Sequence, residues 1–361
     1  MSEYNTLNQI GLNKDYLIVG QGIAGTILAH FLLKKNKDIL IVDEFNPSSS
    51  TNVAAGLFNP ITGRKHIKSW MADTIFPFAE QTYTELEEFL QTQFYHPINT
   101  LKLFSSVQEK NDWRIRSELN DSDEFIIKSY ETFIEKSFHS FQYGGIEISK
   151  TGYVDMSHLL EAFKIKMQHD DLIIEKSLKY NELLIQDNYV LWDKYKFKKV
   201  IFCEGYMATM NPYFSWLPFV LAKGEVLTIY SEELQLNKIV NKGIFILPLG
   251  NNKYRVGSTY EWNFKDTNPS QEGFKELKGK LDLCIDCNYK IMDHRAGIRP
   301  TVKDRRPFIG IHPVNNKFGI FNGLGTKGAT LAPYFANQFV EYLEEGKPLL
   351  KEVNILRYYK P

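Results

Sequence analysis

The stretch 15–43, DYLIVGQGIAGTILAHFLLKKNKDILIVD, constrains the fold more than any other part of the chain. It opens on Tyr16, Leu17, Ile18 and Val19, an apolar run of the length and β-branched content of a buried parallel strand. A glycine turn follows, Gly20-Gln21-Gly22-Ile23-Ala24-Gly25. Ala24, Ile27, Leu28, Phe31 and Leu32 then recur at the spacing of one helical face. A second apolar run, Ile39-Leu40-Ile41-Val42, ends in Asp43. Strand, glycine turn, helix, strand and acid make up the complete dinucleotide-binding fingerprint.

Each glycine has its own task. Gly20 turns the chain off the strand, Gly22 lets the backbone approach a pyrophosphate, and Gly25 lets the helix pack close to the strand. Amides at the helix start then face the phosphates, assisted by the helix dipole. Asp43 stands about 20 residues beyond the first glycine, where an acid accepts ribose hydroxyls. A carboxylate there repels a 2′-phosphate, which disfavours NADP. The glycines alone would also suit a tight turn that binds nothing; the flanking strands and the acid give them their weight.

At 361 residues the chain exceeds one comfortable core, so two lobes are expected. Lysine plus arginine equal aspartate plus glutamate, 43 against 43, so no bulk field draws in nucleic acid or an anionic membrane. The start, MSEYNTLNQIGLNK, lacks the apolar core of a secretory signal, and no run reaches the ~18 apolar residues of a membrane span. Three cysteines fit a reducing cytoplasm. Cys284 and Cys287 form a lone CxxC with only His294 nearby as a further ligand. They read as packing residues at a helix end, with zinc or redox chemistry as the alternative, and no metal site is expected.

Further along, Glu44 to Asn52 reads as a polar loop leading into Val53-Ala54-Ala55-Gly56-Leu57-Phe58, small residues that suit close approach to a flat ligand or an ordinary buried turn. The spacing predicts helices over 73–94 and 157–167. A buried strand over 199–205 ends, like the first, at a glycine, which suits one parallel sheet with its carboxyl ends facing a common ligand. From about 222 the pattern turns antiparallel: a strand over 224–230, then strands over 244–249 and 254–260 about a Gly-Asn-Asn-Lys turn. A last strand at 318–321 precedes a second glycine-rich loop, 322–328, and a helix over 329–343.

Five separated pieces now stand in a recognisable order: the fingerprint, Val53-Ala54-Ala55-Gly56-Leu57, Cys203-Glu204-Gly205, Gly297-Ile298-Arg299-Pro300 with Asp304 behind it, and Gly323-Leu324-Gly325-Thr326-Lys327-Gly328. Together they resemble the D-amino-acid oxidase superfamily of FAD-dependent oxidoreductases, in particular its glycine oxidase-like members and the FAD domain of a bifunctional tRNA wobble-uridine modification enzyme. The resemblance implies an α/β fold. A Rossmann-like FAD-binding domain (1–76, 151–220 and 297–361) would carry an inserted α+β substrate domain (77–150 and 221–296) built on a mainly antiparallel sheet. It also implies non-covalent FAD. Gly20, Gly22, Ile23, Ala24 and Gly25 would hold the pyrophosphate, with Asp43 and the adjoining Glu44 at the adenosine ribose. Thr51, Asn52, Ala54, Ala55, Gly56 and Leu57 would line the path to the isoalloxazine, and Cys203, Glu204 and Gly205 the adenosine side. Gly323, Leu324, Gly325, Thr326, Gly328, Ala329 and Thr330 would lie under the pyrimidine end, where amides and a helix start stabilise reduced-flavin charge. Lys327 would add a cation there, or be an exposed loop lysine.

In relatives that oxidise amino acids the arginine matching Arg299 pairs with the substrate carboxylate, a task suited to a bidentate guanidinium. A structural pairing of Arg299 with Asp304 or a carbonyl is the alternative. Phe245 and Tyr260 fall where relatives place pocket walls, or are hairpin core. Relatives often carry a tyrosine at the Phe245 position, which makes glycine itself a doubtful substrate. His66, His294 and His312 read as surface or packing residues. The resulting expectation is oxidation of a small amino acid or N-substituted glycine at the carbon beside its amine, with hydride passing to flavin N5 and oxygen or a quinone as final acceptor. The rivals are demodification of a carboxymethylaminomethyl uridine in tRNA and a non-catalytic flavin-binding subunit. Zero net charge weighs against a nucleic-acid partner.

Overall fold

The computed structural model describes residues 12–63, 66–117, 123–133, 136–139 and 141–360. Residues 1–11, most of the polar amino-terminal stretch, lie outside them. The chain forms two compact units, one of Met1–Ser49, Leu160–Leu221 and Arg299–Pro361, the other of Ser50–Leu159 and Ala222–Ile298.

In the first unit five strands run parallel in the order Ile173–Glu175, Ile39–Asp43, Leu12–Val19, Tyr195–Phe202 and Phe318–Asn322. Val19 sits opposite both Val42 and Phe202, and Phe202 opposite Ile320. Gly20, Asp43, Cys203 and Gly323 therefore emerge at one edge of the sheet. One face buries Leu17, Val19, Leu40, Val42, Val200, Phe202, Phe318 and Ile320 in a single cluster. At about 1.5–3 kcal/mol for each large side chain, burial of this cluster outweighs anything a loop contributes. Helices Ile23–Lys34 and Gly328–Glu345 pack on one another. Two antiparallel additions, Phe308–Ile311 and the hairpin Leu184–Ile185 with Val190–Trp192, complete the sheet.

The strand expected over 199–205 in fact spans Tyr195–Phe202. Cys203 and Glu204 lie past its end, and Gly205, at φ +58°, opens a turn of 3-10 helix. The charged residues Lys196 and Lys198 mask its first half, which pairs with strand Val190–Trp192.

The second unit is built on an eight-stranded sheet, Lys290–Arg299, Ala222–Tyr230, Lys253–Gly257, Phe245–Gly250, Ile239–Asn241, Thr100–Leu103, Gly145–Ile148 and Ile126–Tyr130. All its recorded pairings are antiparallel except Ile239–Asn241 with Thr100–Leu103. Asn251 and Asn252 take φ of +50° and +57°, the geometry of a tight two-residue hairpin turn. Alternation along the strands sends Leu227, Ile229, Ile246, Tyr254 and Val256 into a core shared with Leu277 and Leu281 of helix Gln271–Asp282. Val226, Thr228, Phe245, Leu247, Arg255 and Gly257 face the other way.

Three expectations need correction here. The helix expected over 73–94 is Ala72–Leu90, and Phe89 of its apolar stripe is exposed. The second hairpin strand stops at Gly257 rather than 260, since the chain then turns so that the Thr259 hydroxyl accepts from the Glu225 amide at 2.9 Å. The polar loop after Asp43 contains one helical turn, Ser50–Val53, against which Gly297 packs so closely that an added Cβ would lie 3.2 Å from Ser50 Cα.

Candidate functional site

The carboxyl edge of the parallel sheet is built from backbone. Gly20 has φ +102°, and a Cβ there would lie 2.6 Å from the carbonyl oxygen of Cys203. A Cβ on Gly25 would lie 1.8 Å from the carbonyl oxygen of Gly20. Neither position tolerates a side chain: Gly20 is pressed against the end of the neighbouring strand at Cys203, and the helix start at Gly25 against the turn at Gly20. Gly22 caps helix Ile23–Lys34 without a side-chain hydrogen bond, and its first turn, with Ile23 and Ala24 buried, contains no acid. The positive end of that helix dipole is thus left uncompensated by the chain's own carboxylates. Asp43 accepts from the Gln21 and Phe45 amides, each at 2.5 Å, which fixes its carboxylate beside the turn. Burial raises its pKa despite those two bonds. Glu44, next to it, is exposed.

Beyond the neighbouring strand, Cys203 is buried and its thiol is pushed well up by burial and by Glu204. Glu204 accepts from the Tyr180 hydroxyl at 2.9 Å and the Asn211 carboxamide at 2.8 Å. Burial dominates those bonds and pushes its pKa up to about 7. Asn322, which the sequence pattern did not mark, ties the edge together: its carboxamide donates to the Gly205 carbonyl at 2.9 Å, and its oxygen accepts from the Gly323 amide at 2.7 Å.

The second glycine loop has the same character. Gly323 and Gly325 take φ of +74° and +55°, Leu324 is buried, and Thr326 is exposed. Gly328 begins helix Gly328–Glu345, whose first turn buries Ala329 and Thr330 and again holds no acid and no side-chain cap. Lys327 is half-buried rather than an exposed loop tip. Burial lowers its pKa, and the nearby Arg305 and Arg306 lower it further. This end of the unit therefore gathers cations without a matching acid in the helix turn.

Arg299 closes strand Lys290–Arg299, is half-buried, and its carbonyl accepts from the Thr301 amide at 2.9 Å. Asp304 is engaged elsewhere, accepting from Arg357 Nε at 3.1 Å, the Tyr358 hydroxyl at 2.9 Å and the Arg306 amide at 3.0 Å.

Thr51, Asn52, Ala54, Ala55, Gly56 and Leu57 fall in the second unit. Thr51 is buried, Ala54 and Ala55 are half-buried, and the Asn52 carbonyl accepts from Ser157 Oγ at 3.2 Å and Arg295 Nη1 at 3.4 Å. Gly56, at φ +63°, would place a Cβ 2.0 Å from the Val154 carbonyl oxygen, and Leu57 pairs with Tyr153. Phe245 lies over Gly257, where an added Cβ would meet its ring at 2.8 Å. Tyr260 is off the sheet, 43% exposed, with its ring 4.7 Å from that of Trp262.

His294 is not a bystander. Its Nε2 lies 2.7 Å from Glu225, a carboxylate 1% exposed that also meets Lys223 at 3.3 Å and accepts from Ser270 Oγ at 2.8 Å. His66 is buried against Phe104 and Trp113, and burial, then the Lys102 charge, lower its pKa to about 4. His312 packs on Phe214. Cys284 sits in the core of the second unit with a thiol pushed up by burial, and Cys287 packs beside it. Among the described residues no three His, Cys, Asp or Glu side chains are grouped to hold a metal. No helix among the described residues is long and apolar enough to cross a membrane.

Residues 15–342 match the family described as DAO, FAD dependent oxidoreductase. The chain belongs to this family. Glycine oxidase of Bacillus subtilis (strain 168) is 24% identical over 342 residues, covering 88% of this chain and 89% of that one. The tRNA 5-methylaminomethyl-2-thiouridine biosynthesis bifunctional protein MnmC of Legionella pneumophila subsp. pneumophila (strain Philadelphia 1) is 26% identical over 352 residues, covering 90% of this chain; the chain spans about half the length of that protein, 50%. The crystal structure of glycine oxidase from Geobacillus kaustophilus has the same fold, with a TM-score of 0.78 at 18% identity over 94% of this chain and 96% of that one. The chain is thus an FAD-dependent oxidoreductase of α/β fold. The glycine cradle and the two uncapped helix starts fit the family's anionic cofactor.

Proposed function

We propose that this FAD-dependent oxidoreductase oxidises the C–N bond of a small amino acid or an N-substituted glycine. Gly20, Gly22, Ile23, Ala24 and Gly25 hold the pyrophosphate, and Asp43, oriented by two amides, accepts from the adenosine ribose. The second loop, Gly323 to Thr330 with Lys327, faces the end of the ring where negative charge accumulates on reduction, and the helix start favours that charge. FAD, when bound, supplies the hydride acceptor. The substrate amine would lose a hydride from carbon and a proton from nitrogen, two electrons and two protons overall, and water hydrolyses the resulting imine to a carbonyl compound and ammonia or a smaller amine.

Arg299 binds the substrate carboxylate and so fixes which carbon is presented for oxidation. What supports this reading is the place of Arg299, half-buried at the end of strand Lys290–Arg299 within Gly297-Ile298-Arg299-Pro300, the motif whose arginine pairs with the substrate carboxylate in relatives that oxidise amino acids. Phe245 and Tyr260 are the residues that fall where relatives place pocket walls, and Phe245 brings no hydroxyl. The likeness to glycine oxidase over most of both chains supports the substrate class. The tRNA reading draws no support from charge, since the chain's net charge is zero.

Arg299→Ala and Arg299→Lys, compared at equal flavin content, test the assignment. A charge-assisted bond contributes roughly 1.5–3 kcal/mol, so loss of about 10- to 100-fold in kcat/KM is expected for N-alkylglycines, with little change for amines lacking a carboxylate. Equal losses in turnover and flavin retention would make Arg299 scaffolding.

A further inference from the structure

Three stretches of the first unit, 205–221, 307–317 and 353–360, meet around Trp216 and leave apolar side chains in solvent. The Trp216 ring lies 6.0 Å from that of Tyr359 and 6.5 Å from that of His312. Its indole N–H donates to the Tyr213 carbonyl at 2.8 Å, so what the ring shows to water is apolar. His312 accepts from the Val314 and Asn315 amides at 3.2 and 3.0 Å, which holds the chain after it beside the indole. Around this centre Val314 is 77% exposed, Leu356 51% and Tyr359 37%. Met210, at the end of the turn Gly205–Met210, is 61% exposed. Single exposed apolar residues need no explanation, but a group gathered about one half-buried tryptophan does.

The charge around this group has one sign. In a chain whose 43 basic side chains balance 43 acidic ones, the three stretches hold Lys317, Arg357 and Lys360 and no aspartate or glutamate. Stretch 205–221 has no charged side chain at all. Lys199 joins them from strand Tyr195–Phe202, its Nζ donating to the Asn316 carbonyl at 2.9 Å. Burial lowers the Lys199 pKa and the Lys317 charge lowers it further, so these two cations stand near one another. Burial also lowers the pKa of His312, which adds no charge at neutral pH. Of the bordering acids, Asp304 is taken by Arg357 and Tyr358, and Glu352 is offset by Lys351 beside it in the chain.

We propose that this face of the first unit rests on the surface of a lipid bilayer bearing anionic headgroups, as a peripheral contact and not a span. Such a contact takes aliphatic side chains to the edge of the acyl region, seats tryptophan and tyrosine at headgroup level and sets lysines against lipid phosphate. Val314 and Leu356, Trp216 and Tyr359, and Lys317 and Lys360 supply these three elements around one centre. A second copy of the chain fits the face less well. A two-fold contact would bring the cations of both copies together, with no acid in the three stretches to meet them. The contact is independent of which amine the enzyme oxidises.

The test is co-flotation of the flavin-loaded full-length protein with vesicles of phosphatidylcholine alone and of phosphatidylcholine with phosphatidylglycerol in equal parts. Wild type is compared with the pair Val314→Glu, Leu356→Glu and with the pair Lys317→Gln, Lys360→Gln. Wild type is expected to float with the anionic vesicles and to be released from them by high salt. Putting two carboxylates in place of the aliphatic contacts should weaken binding about 10- to 100-fold on the anionic vesicles. Removing the two lysine charges should weaken it about 10- to 30-fold there and leave the weak binding to neutral vesicles unchanged. The substituted side chains lie outside the glycine cradle, so flavin content and thermal midpoint should stay at wild-type values in both pairs. Wild-type protein that stays with the unbound fraction, or vesicle binding that neither pair weakens, overturns the inference. A dimer in sedimentation velocity that Val314→Glu, Leu356→Glu dissociates, without vesicle binding, overturns it in favour of a second copy.

Discussion

Two carboxylates, Glu204 half-buried in the first unit and Glu225 buried in the second, meet the cost of desolvation in different ways. Among the described residues Glu204, at the carboxyl edge of the parallel sheet, is met by neutral donors, the Tyr180 hydroxyl and the Asn211 carboxamide. Burial wins, and its pKa climbs to about 7. Glu225, in the antiparallel sheet, is met by Lys223, His294 and Ser270, and it ties strand Ala222–Tyr230 to strand Lys290–Arg299 and to the cap of helix Gln271–Asp282. A buried acid that faces cations acts as an anchor, whereas one that faces neutral dipoles is poised to change its protonation state near neutrality. The second unit invests its charges in holding its sheet together; the first leaves its edge dominated by amides and helix ends.

The comparison is most severely tested where the edge is tightest. Gly25→Ala would set a methyl group 1.8 Å from the Gly20 carbonyl oxygen, so the helix start must move. A destabilisation above about 4 kcal/mol and purification without bound flavin are expected, read from denaturant unfolding and the absorbance spectrum. A yellow protein of ordinary stability would show that the turn is looser than its geometry. Next in size, Glu225→Gln removes the nearer charge partner of Lys223, itself 3% exposed, and leaves it the Glu261 carboxylate at 3.9 Å. Removing one member of a buried pair costs about 3–5 kcal/mol, and hydrogen exchange should report the loss first in strand Ala222–Tyr230.

The third prediction concerns pH. Below about 4.5 Glu204 is protonated whether the chain is folded or not. As pH rises from there to about 7 the unfolded chain releases this proton and the folded chain keeps it, so folding is progressively weakened and then levels off. The span corresponds to roughly 3 kcal/mol, and Glu204→Gln should remove this slope from the stability–pH curve. An unchanged slope would place the carboxylate in contact with water or a cation, and the contrast with Glu225 would collapse.

The same contrast explains what could be read in advance. The first unit's edge is made of backbone geometry, and backbone geometry leaves a local trace: Gly20, Gly25, Gly323 and Gly325 each stand where a side chain would collide or φ is positive. The acid of the fingerprint, Asp43, lies on the very next strand. The second unit's polar groups come together only through long-range strand pairing. Nothing within ten residues of Lys223 points to His294. Tyr260 was misplaced onto the hairpin for a related reason: the aromatic and β-branched run continues past the point where Thr259 turns to the Glu225 amide.

The central claim is that this family member takes hydride from the carbon beside an acid-bearing amine. Anaerobic mixing of the flavin-loaded protein with a panel of amino acids, N-alkylglycines and carboxylate-free amines, followed by flavin absorbance, tests it most directly. Bleaching by N-substituted glycines or small amino acids, fast compared with any plain amine, is the expected result. A flavin that stays oxidised with every acid-bearing amine in the panel, while dithionite still reduces it, would contradict the claim.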